Sequence, residues 1–404
     1  MLPESLRFSR ILRRIVFSLA SAVAVTGLAS AQVSTPAASS LVTNRLTQPI
    51  VDSARVTLKG TVHPLANAQN DRGAASDSMP LERIQVVLKR SSAQESALRQ
   101  LITDMHTKGS ASYHKWLTPD QFGQQFGPSD QDIATLEAWL QSKGFSVSKV
   151  NAGKGSLEMS GSVAQFRNAF QTQIHKYVVN GETHYANATD PQIPAALAPV
   201  FGGFATLNNF RPKKQLHVLG KATYNPKNDK ATPQWTIGSN GAYSFVLAPS
   251  DYAVQYDLSP LYTAGTTGSG QTIAIINDSN INIANVNNFR SIFGLSANPP
   301  QVIIDGNDPG VDGINNPDGP NDDSGEAYLD VETAGAVAPN ATIDLVIGAD
   351  TALESGLILA LERAVYGNVA PVLSMSFGLG CESQLGTSGN QFVNQIWEDR
   401  KSVV

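Results

Sequence analysis

Residues Ser324 to Pro339 read SGEAYLDVETAGAVAP, and the rest of the chain is read outward from them. Glu326 and Asp330 are four apart, so on a helix their carboxylates share one face with Cβ atoms about 5–6 Å apart. Ala334 to Ala338 are small or apolar, which lets that end of the helix pack tightly before Pro339 stops it. Two carboxylates at one site do not ionise independently, because like charge raises one of the two pKa values. That property suits proton transfer in acid. The same residues also fit a capping box, since Asp323 is followed three residues later by Glu326 and first-turn acids complement the helix dipole. Taken alone, the helix leaves both readings open.

The 404 residues are 41% hydrophobic and 16% charged, enough apolar material for two or three packed domains. A net charge of −5 provides no general basic surface for nucleic acid. Arg7, Arg10, Arg13 and Arg14 precede an apolar run from Ile15 to Leu28 and the small residues Ala29-Ser30-Ala31, the pattern of a secretory signal peptide over residues 1–31. Arg13-Arg14 also permits a twin-arginine route, although the flanking residues match it poorly. The apolar run is short for a membrane span. The expected product is therefore secreted, extracellular or periplasmic, with no membrane association after signal removal. The lone Cys381 cannot form an internal disulfide and, with no histidine after it, reads as structural.

Residues 32–80 are rich in Ser, Thr, Ala, Asn and Asp and read as a flexible leader with one short strand near Ala54 to Leu58. From Leu81 to Phe210 the pattern is β-α-α-β-β-α-β-β. Its strands are Arg83–Lys89, Phe145–Val150, Ser156–Met159 and Ile174–Val179, which turns at Asn180-Gly181 into a fifth at His184-Tyr185, and its helices are Ala93–His106, Ser129–Gly144 and Val163–Phe170. This order predicts a compact α+β domain, an antiparallel sheet covered by helices on one side. Residues 211–247 contain Lys, Asn, Pro and Gly without periodicity and read as an exposed, cleavable linker.

From Ala248 the pattern changes. Apolar strands at Gln271–Ile276, Gln301–Ile304, Ile343–Ile347 and Val372–Ser376 alternate with helices near Ile283–Phe293, Ser324–Ala338, Ala352–Tyr366 and from Asn390. This predicts a doubly wound parallel sheet with sites at the carboxyl ends of its strands. The glycine-rich Gly265 to Gly270 precedes the first strand instead of joining strand to helix, so it is no phosphate-binding fingerprint. The loop holding Asp305, Asp308, Asp312, Asp318, Asp322 and Asp323 lacks EF-hand spacing, and its residues are ordinary turn formers. No metal site is assigned.

Leu373 to Gly378 (LSMSFG) and Gly335 to Asn340 (GAVAPN) are similar to the substrate-edge strand and helix end of subtilisin-like proteases. Yet all six histidines (His63, His106, His114, His175, His184 and His217) precede this domain, so a peptidase base here must be another group. The chain resembles the sedolisins, or serine-carboxyl peptidases, of the kumamolisin type. The matching stretches are Gly325-Glu326 through Asp330 to Glu332, Ala334 to Asn340, Tyr113 to Pro119 with Phe122 and Phe126, Trp139-Leu140, Gly144-Phe145, Ala248 to Tyr252 and Tyr256 to Leu261.

The resemblance implies a ferredoxin-like α+β pro-domain at residues 81–210, followed by the N-terminal part of an α/β subtilisin-like parallel-sheet domain at residues 248–404. It implies a Ser-Glu-Asp triad in which Glu326 is the general base, Asp330 orients it, and Ser376, Phe377 and Gly378 line the cleft and pair with substrate backbone. The partners it implies are a peptide or protein substrate and the chain's own pro-domain as intramolecular inhibitor. Two positions depart from the kumamolisin pattern: Phe377 stands for Trp, and Asn277 for Glu after the first strand. The family's oxyanion aspartate, serine nucleophile and calcium site are expected beyond residue 404, so no cofactor is expected in this chain. Gly386-Thr387-Ser388 lies too early to supply the nucleophile. The expectation is an exported zymogen whose chain is truncated inside the catalytic domain and is inactive as it stands. The alternatives are a secreted pro-domain-like inhibitor or folding chaperone, and an extracellular nucleotide- or sugar-binding protein.

Overall fold

The structure is a computed structural model that describes residues 41–211, 213–214, 216, 235–239, 242–311, 323–378 and 382–402. The expected signal peptide, the first part of the leader, Cys381 and the loop positions Asp312, Asp318 and Asp322 lie outside the described residues.

The first half contains β1 (Arg55–Thr57), β2 (Asp71–Ala74), β3 (Pro80–Leu88), α1 (Ser92–His106), α2 (Pro119–Phe126), α3 (Asp130–Ser142), β4 (Ser146–Val150), β5 (Ser156–Ser162), α4 (Val163–Phe170), β6 (Ile174–Val179), β7 (Glu182–Asn187), β8 (Gln192–Pro194) and β9 (Phe201–Phe204). Three helices begin with reciprocal capping boxes, Ser91 with Gln94, Thr118 with Gln121 and Ser162 with Gln165, which satisfy otherwise orphaned first-turn N–H groups. A four-stranded antiparallel sheet runs in the order β4-β5-β3-β9, and a three-stranded one in the order β2-β6-β7. Ile84, Val86, Leu157, Met159, Phe166, Phe170, Phe201 and Phe204 are buried together between the first sheet and its helices.

The expected leader is corrected here. Leu46, Ile50, Leu58 and Met79 pack against that same core. β1 pairs with β8 (Arg55↔Pro194) and β2 with β6 (Asp71↔Tyr177), so ordered structure begins well before Leu81. The Asp132 carboxylate also accepts the N–H groups of Arg45 (2.9 Å) and Leu46 (2.8 Å), which fixes the early segment on α3.

Two short elements follow the first half: β10 (Lys213–Lys214) and a hairpin of β11 (Trp235–Ser239) with β12 (Ala242–Val246). The second half holds α5 (Pro249–Gln255), α6 (Ser259–Thr263), β13 (Thr272–Asn277), α7 (Ile283–Ile292), β14 (Gln301–Asp305), α8 (Ser324–Val337), β15 (Thr342–Gly348), α9 (Gly356–Tyr366), β16 (Val372–Ser374), β17 (Phe377–Gly378) and α10 (Glu382–Ser402), which is broken at Gly386. Strands β14-β15-β13-β16 form a parallel sheet in that order. Among the described residues no helix is long and apolar enough to cross a membrane.

The halves interlock. Leu353, from the loop before α9, is buried in the first core, while Val87 and Ala205 are buried in the second with Leu357, Leu361 and Phe392. Gly153 and Gly155 let the backbone approach Tyr366, because a Cβ at either would stand 2.5 Å or 2.7 Å from its ring or hydroxyl. Helix α9 is consequently buried on nearly every side.

Candidate active site

Helix α8 connects β14 to β15 and carries Glu326, only 2% exposed, in its first turn. Asp323 occupies the N-cap position without a side-chain cap hydrogen bond, so the capping-box alternative is not what the helix uses. Instead, Glu326 Oε2 accepts the backbone N–H of Leu216 at 2.6 Å. This contact spans 110 positions in sequence.

Asp330, one turn along, is half-buried, and its Oδ1 accepts the Ser376 hydroxyl at 2.9 Å. Its Oδ2 is buried without a hydrogen-bond partner. Burial raises the Asp330 pKa above the ordinary carboxylate value, and the Ser376 hydrogen bond, which favours the ionised form, opposes that rise. Ser376 thus turns its hydroxyl onto a carboxylate at the carboxyl end of β16. On the same helix, burial pushes Glu332 up to about 7.

Phe377 and Gly378 form β17, which pairs antiparallel with β10: Lys213 lies opposite Gly378, and Lys214 opposite Phe377. Arg211 is anchored just before this strap by an ion pair with Asp350 at 2.7 Å and by donation to the Thr351 carbonyl. The linker therefore runs as a strand along the residues expected to pair with substrate, and its next described amide donates to Glu326. The Phe377 side chain is 8% exposed and belongs to the hydrophobic core of the second half.

Asn277 ends β13 fully buried, and its side-chain oxygen accepts the N–H groups of Asp278 (2.9 Å) and Ser279 (3.0 Å). It serves its own turn, and its amide nitrogen is buried without a partner. Ser388 of the Gly-Thr-Ser segment is buried against Gly203, where an added Cβ would come within 2.4 Å of it. Among the described residues, no group of three or more His, Cys, Asp or Glu side chains is placed to hold a metal ion. Asp305 pairs with Arg83 at 2.6 Å, and Asp308 accepts from Asn280 at 3.0 Å.

The structure thus brings Glu326, Asp330, Ser376 and the Phe377-Gly378 edge to one region, together with two groups that sequence reasoning missed. One is the Leu216 N–H, which as a backbone group leaves no trace in composition. The other is the Lys213-Lys214 strand, which read only as basic linker because its pairing partner lies far away in sequence.

Residues 67–210 match the family described as Pro-kumamolisin, activation domain. The chain is similar to xanthomonalisin of Xanthomonas sp. (strain T-22), 27% identical over 87% of this chain and 39% of the relative. It is also similar to sedolisin of Pseudomonas sp. (strain 101), 25% identical over 76% of this chain and 50% of the relative. Kumamolisin of Bacillus sp. (strain MN-32) is 26% identical over 81% of this chain and 56% of the relative. The chain spans about half the length of the curated relatives it matches. Residues 67–210 thus match a pro-kumamolisin activation domain, and the similarity to sedolisin-type peptidases continues beyond it through α8.

Proposed function

We propose that this chain carries the activation domain and the carboxylate pair of an exported, acid-acting serine-carboxyl endopeptidase held as a zymogen. The observation that carries the reading is the strap: β10 lies antiparallel on Phe377-Gly378 while the Leu216 N–H donates to Glu326 at 2.6 Å. A general acid or base must stand within hydrogen-bond reach of the atom whose proton it moves. Glu326 already stands at an amide nitrogen, the position of a leaving group.

In the reaction, ionised Glu326 takes the proton of a serine hydroxyl as the oxygen attacks the substrate carbonyl. The resulting acid gives that proton to the departing amide nitrogen, and the acyl-enzyme is then hydrolysed by water. Asp330 fixes Glu326 and shares its charge, and Ser376 fixes Asp330. The serine and the oxyanion group are assigned to no residue of 1–404. Substrate peptide would lie where the strap lies, paired with β17. The amide nitrogen at Glu326 belongs to the Gln215–Leu216 bond, which we assign as the activation cleavage. The antiparallel order β4-β5-β3-β9, with helices following β3 and β5, supports a ferredoxin-like core for the pro-domain.

The test is peptide hydrolysis at acid pH by the full-length protein. Glu326→Gln should lower kcat/KM by at least about a thousandfold, the scale seen when a member of a catalytic triad is removed. Activity within a few-fold of the unsubstituted product would contradict the assignment.

A further inference from the structure

We propose that His63, Phe210 and His184 form an acid-opened clamp that holds the root of the strap. Phe210 is the last residue before Arg211 and the paired lysines, and both faces of its ring are covered by imidazoles. His63 stacks on one face with centroids 4.1 Å apart at 12°, and His184 on the other at 4.3 Å and 20°. His63 comes from the segment before β2 and His184 from β7. The clamp closes two distant parts of the pro-domain over the residue from which the linker departs.

The two imidazoles differ in what they tolerate. His63 is 5% exposed, and its Nδ1 accepts the Leu65 N–H at 3.2 Å, so a proton added there would meet a donor. Its surroundings are apolar, with Val62, Ala66, Tyr177 and Ala186 grouped around Phe210. His184 directs Nδ1 to the Asn209 carbonyl at 3.3 Å, and its Nε2 lies 3.8 Å from exposed Glu182. Other titratable or charged groups on the packed elements are engaged elsewhere. His175 on β6 pairs with Asp71 on β2 at 2.8 Å, Asp190 accepts the N–H groups of Gly60 and Thr61, and Arg211 pairs with Asp350. No carboxylate lies within ion-pair distance of His63 among the described residues.

Burial first, and the neighbouring His184 second, hold His63 down at about 4 against an ordinary 6.5. A cation over the Phe210 face is attractive but too weak at a single ring to offset this. The closed clamp therefore binds fewer protons than the open one. Its advantage is whole above pH 6.5 and drains as pH falls toward 4, a change on the order of a hundredfold in the open-to-closed ratio. Acid would thus free the strap at its root while the strap still lies across the carboxylate that is to cut it. The inference takes its purpose from the zymogen reading, but its test requires no catalysis.

The test is amide hydrogen exchange at the root of the strap, Asn209 and Phe210, in the full chain, corrected for intrinsic rates, at pH 7 and pH 4. The unsubstituted chain should lose protection by about a hundredfold. His63→Phe keeps a stacked ring that cannot be charged, and its loss should stay within about threefold. Equal loss in both chains would overturn the clamp, as would full protection of the unsubstituted chain at pH 4. Should His63→Phe not fold, imidazole exchange in the unsubstituted chain decides: His63 titrating near 4 sustains the clamp, and titration near 6.5 overturns it. Loss of protection at the root without any acid proteolysis would separate a failed peptidase reading from a failed clamp.

Discussion

The backbone N–H of Leu216 donates to Glu326 Oε2 at 2.6 Å, so the carboxylate at the head of α8 is engaged by the chain's own linker. A hydrogen bond to a charged group contributes about 1.5–3 kcal/mol. Replacing Leu216 by Pro removes the donor while leaving Lys213 and Lys214 in place as trypsin sites. Cleavage after these lysines at pH 8 should then accelerate roughly 10- to 100-fold, read as the rate of loss of intact chain on a gel. An unchanged rate would mean that the strap is held by other contacts.

Ser376 is the hydroxyl on Asp330, and it favours that carboxylate's ionised form. Ser376→Ala should therefore raise the Asp330 pKa further. A carboxyl whose folded pKa is raised supports the fold most below its ordinary value and loses that support as pH rises. Carboxyl-carbon NMR titration of the two chains reads the shift directly, and coincident curves would remove Ser376 from its positioning role.

Arg90 joins α1 to α10 through Asp399 (2.8 Å) and Glu398 (2.9 Å), with side chains of Arg90 and Asp399 only 4% and 1% exposed. Removing one partner of a buried pair strands the other charge, at a cost of about 3–5 kcal/mol. Arg90→Ala should lower the urea-unfolding free energy by that amount at pH 8. Burial raises Asp399 to about 6 against the pull of Arg90; without that pull the stranded carboxyl takes up its proton at higher pH, so the loss should shrink as pH falls from 8 toward 6. A deficit under 1 kcal/mol at pH 8 would contradict the pairing.

Glu362 projects from α9 onto the pro-domain sheet, where it accepts from the Ser156 hydroxyl and from the Asn151 amide at 3.2 Å. Burial pushes it up to about 7. The docked state therefore binds the extra proton, and docking is favoured below the ordinary glutamate value and weakened as pH rises through 7. Exchange protection at β5 should fall between pH 5 and pH 8 in the unsubstituted chain and much less in Glu362→Gln. Parallel pH profiles would show that this carboxyl does not sense the interface.

Much of this architecture was legible in advance because it is local. The four-residue spacing of Glu326 and Asp330, the apolar runs at Thr272–Asn277 and Thr342–Gly348, and the Asn180-Gly181 turn each announce themselves within a few residues. What escaped depends on distant partners. A short strand was expected at β1 but not its pairing with β8, and β2 is short and polar and becomes a strand only against β6, so the segment before Leu81 read as leader. Helix α2 was missed although Thr118, Pro119 and Gln121 spell a capping box at its start. Asn277 stood in the sequence as a departure from a family pattern; its use, closing its own turn, is visible only in coordinates. Ser376 likewise read as cleft lining because the direction of a hydroxyl is not written in a motif.

The most direct measurement is the N-terminus of the acid-processed product. The full-length protein, purified at neutral pH and brought to pH 4, should yield a fragment beginning at Leu216, with none formed by Glu326→Gln. A fragment beginning elsewhere, or one that starts at Leu216 in the Glu326→Gln chain as well, would contradict the claim that Glu326 stands at the bond it cuts.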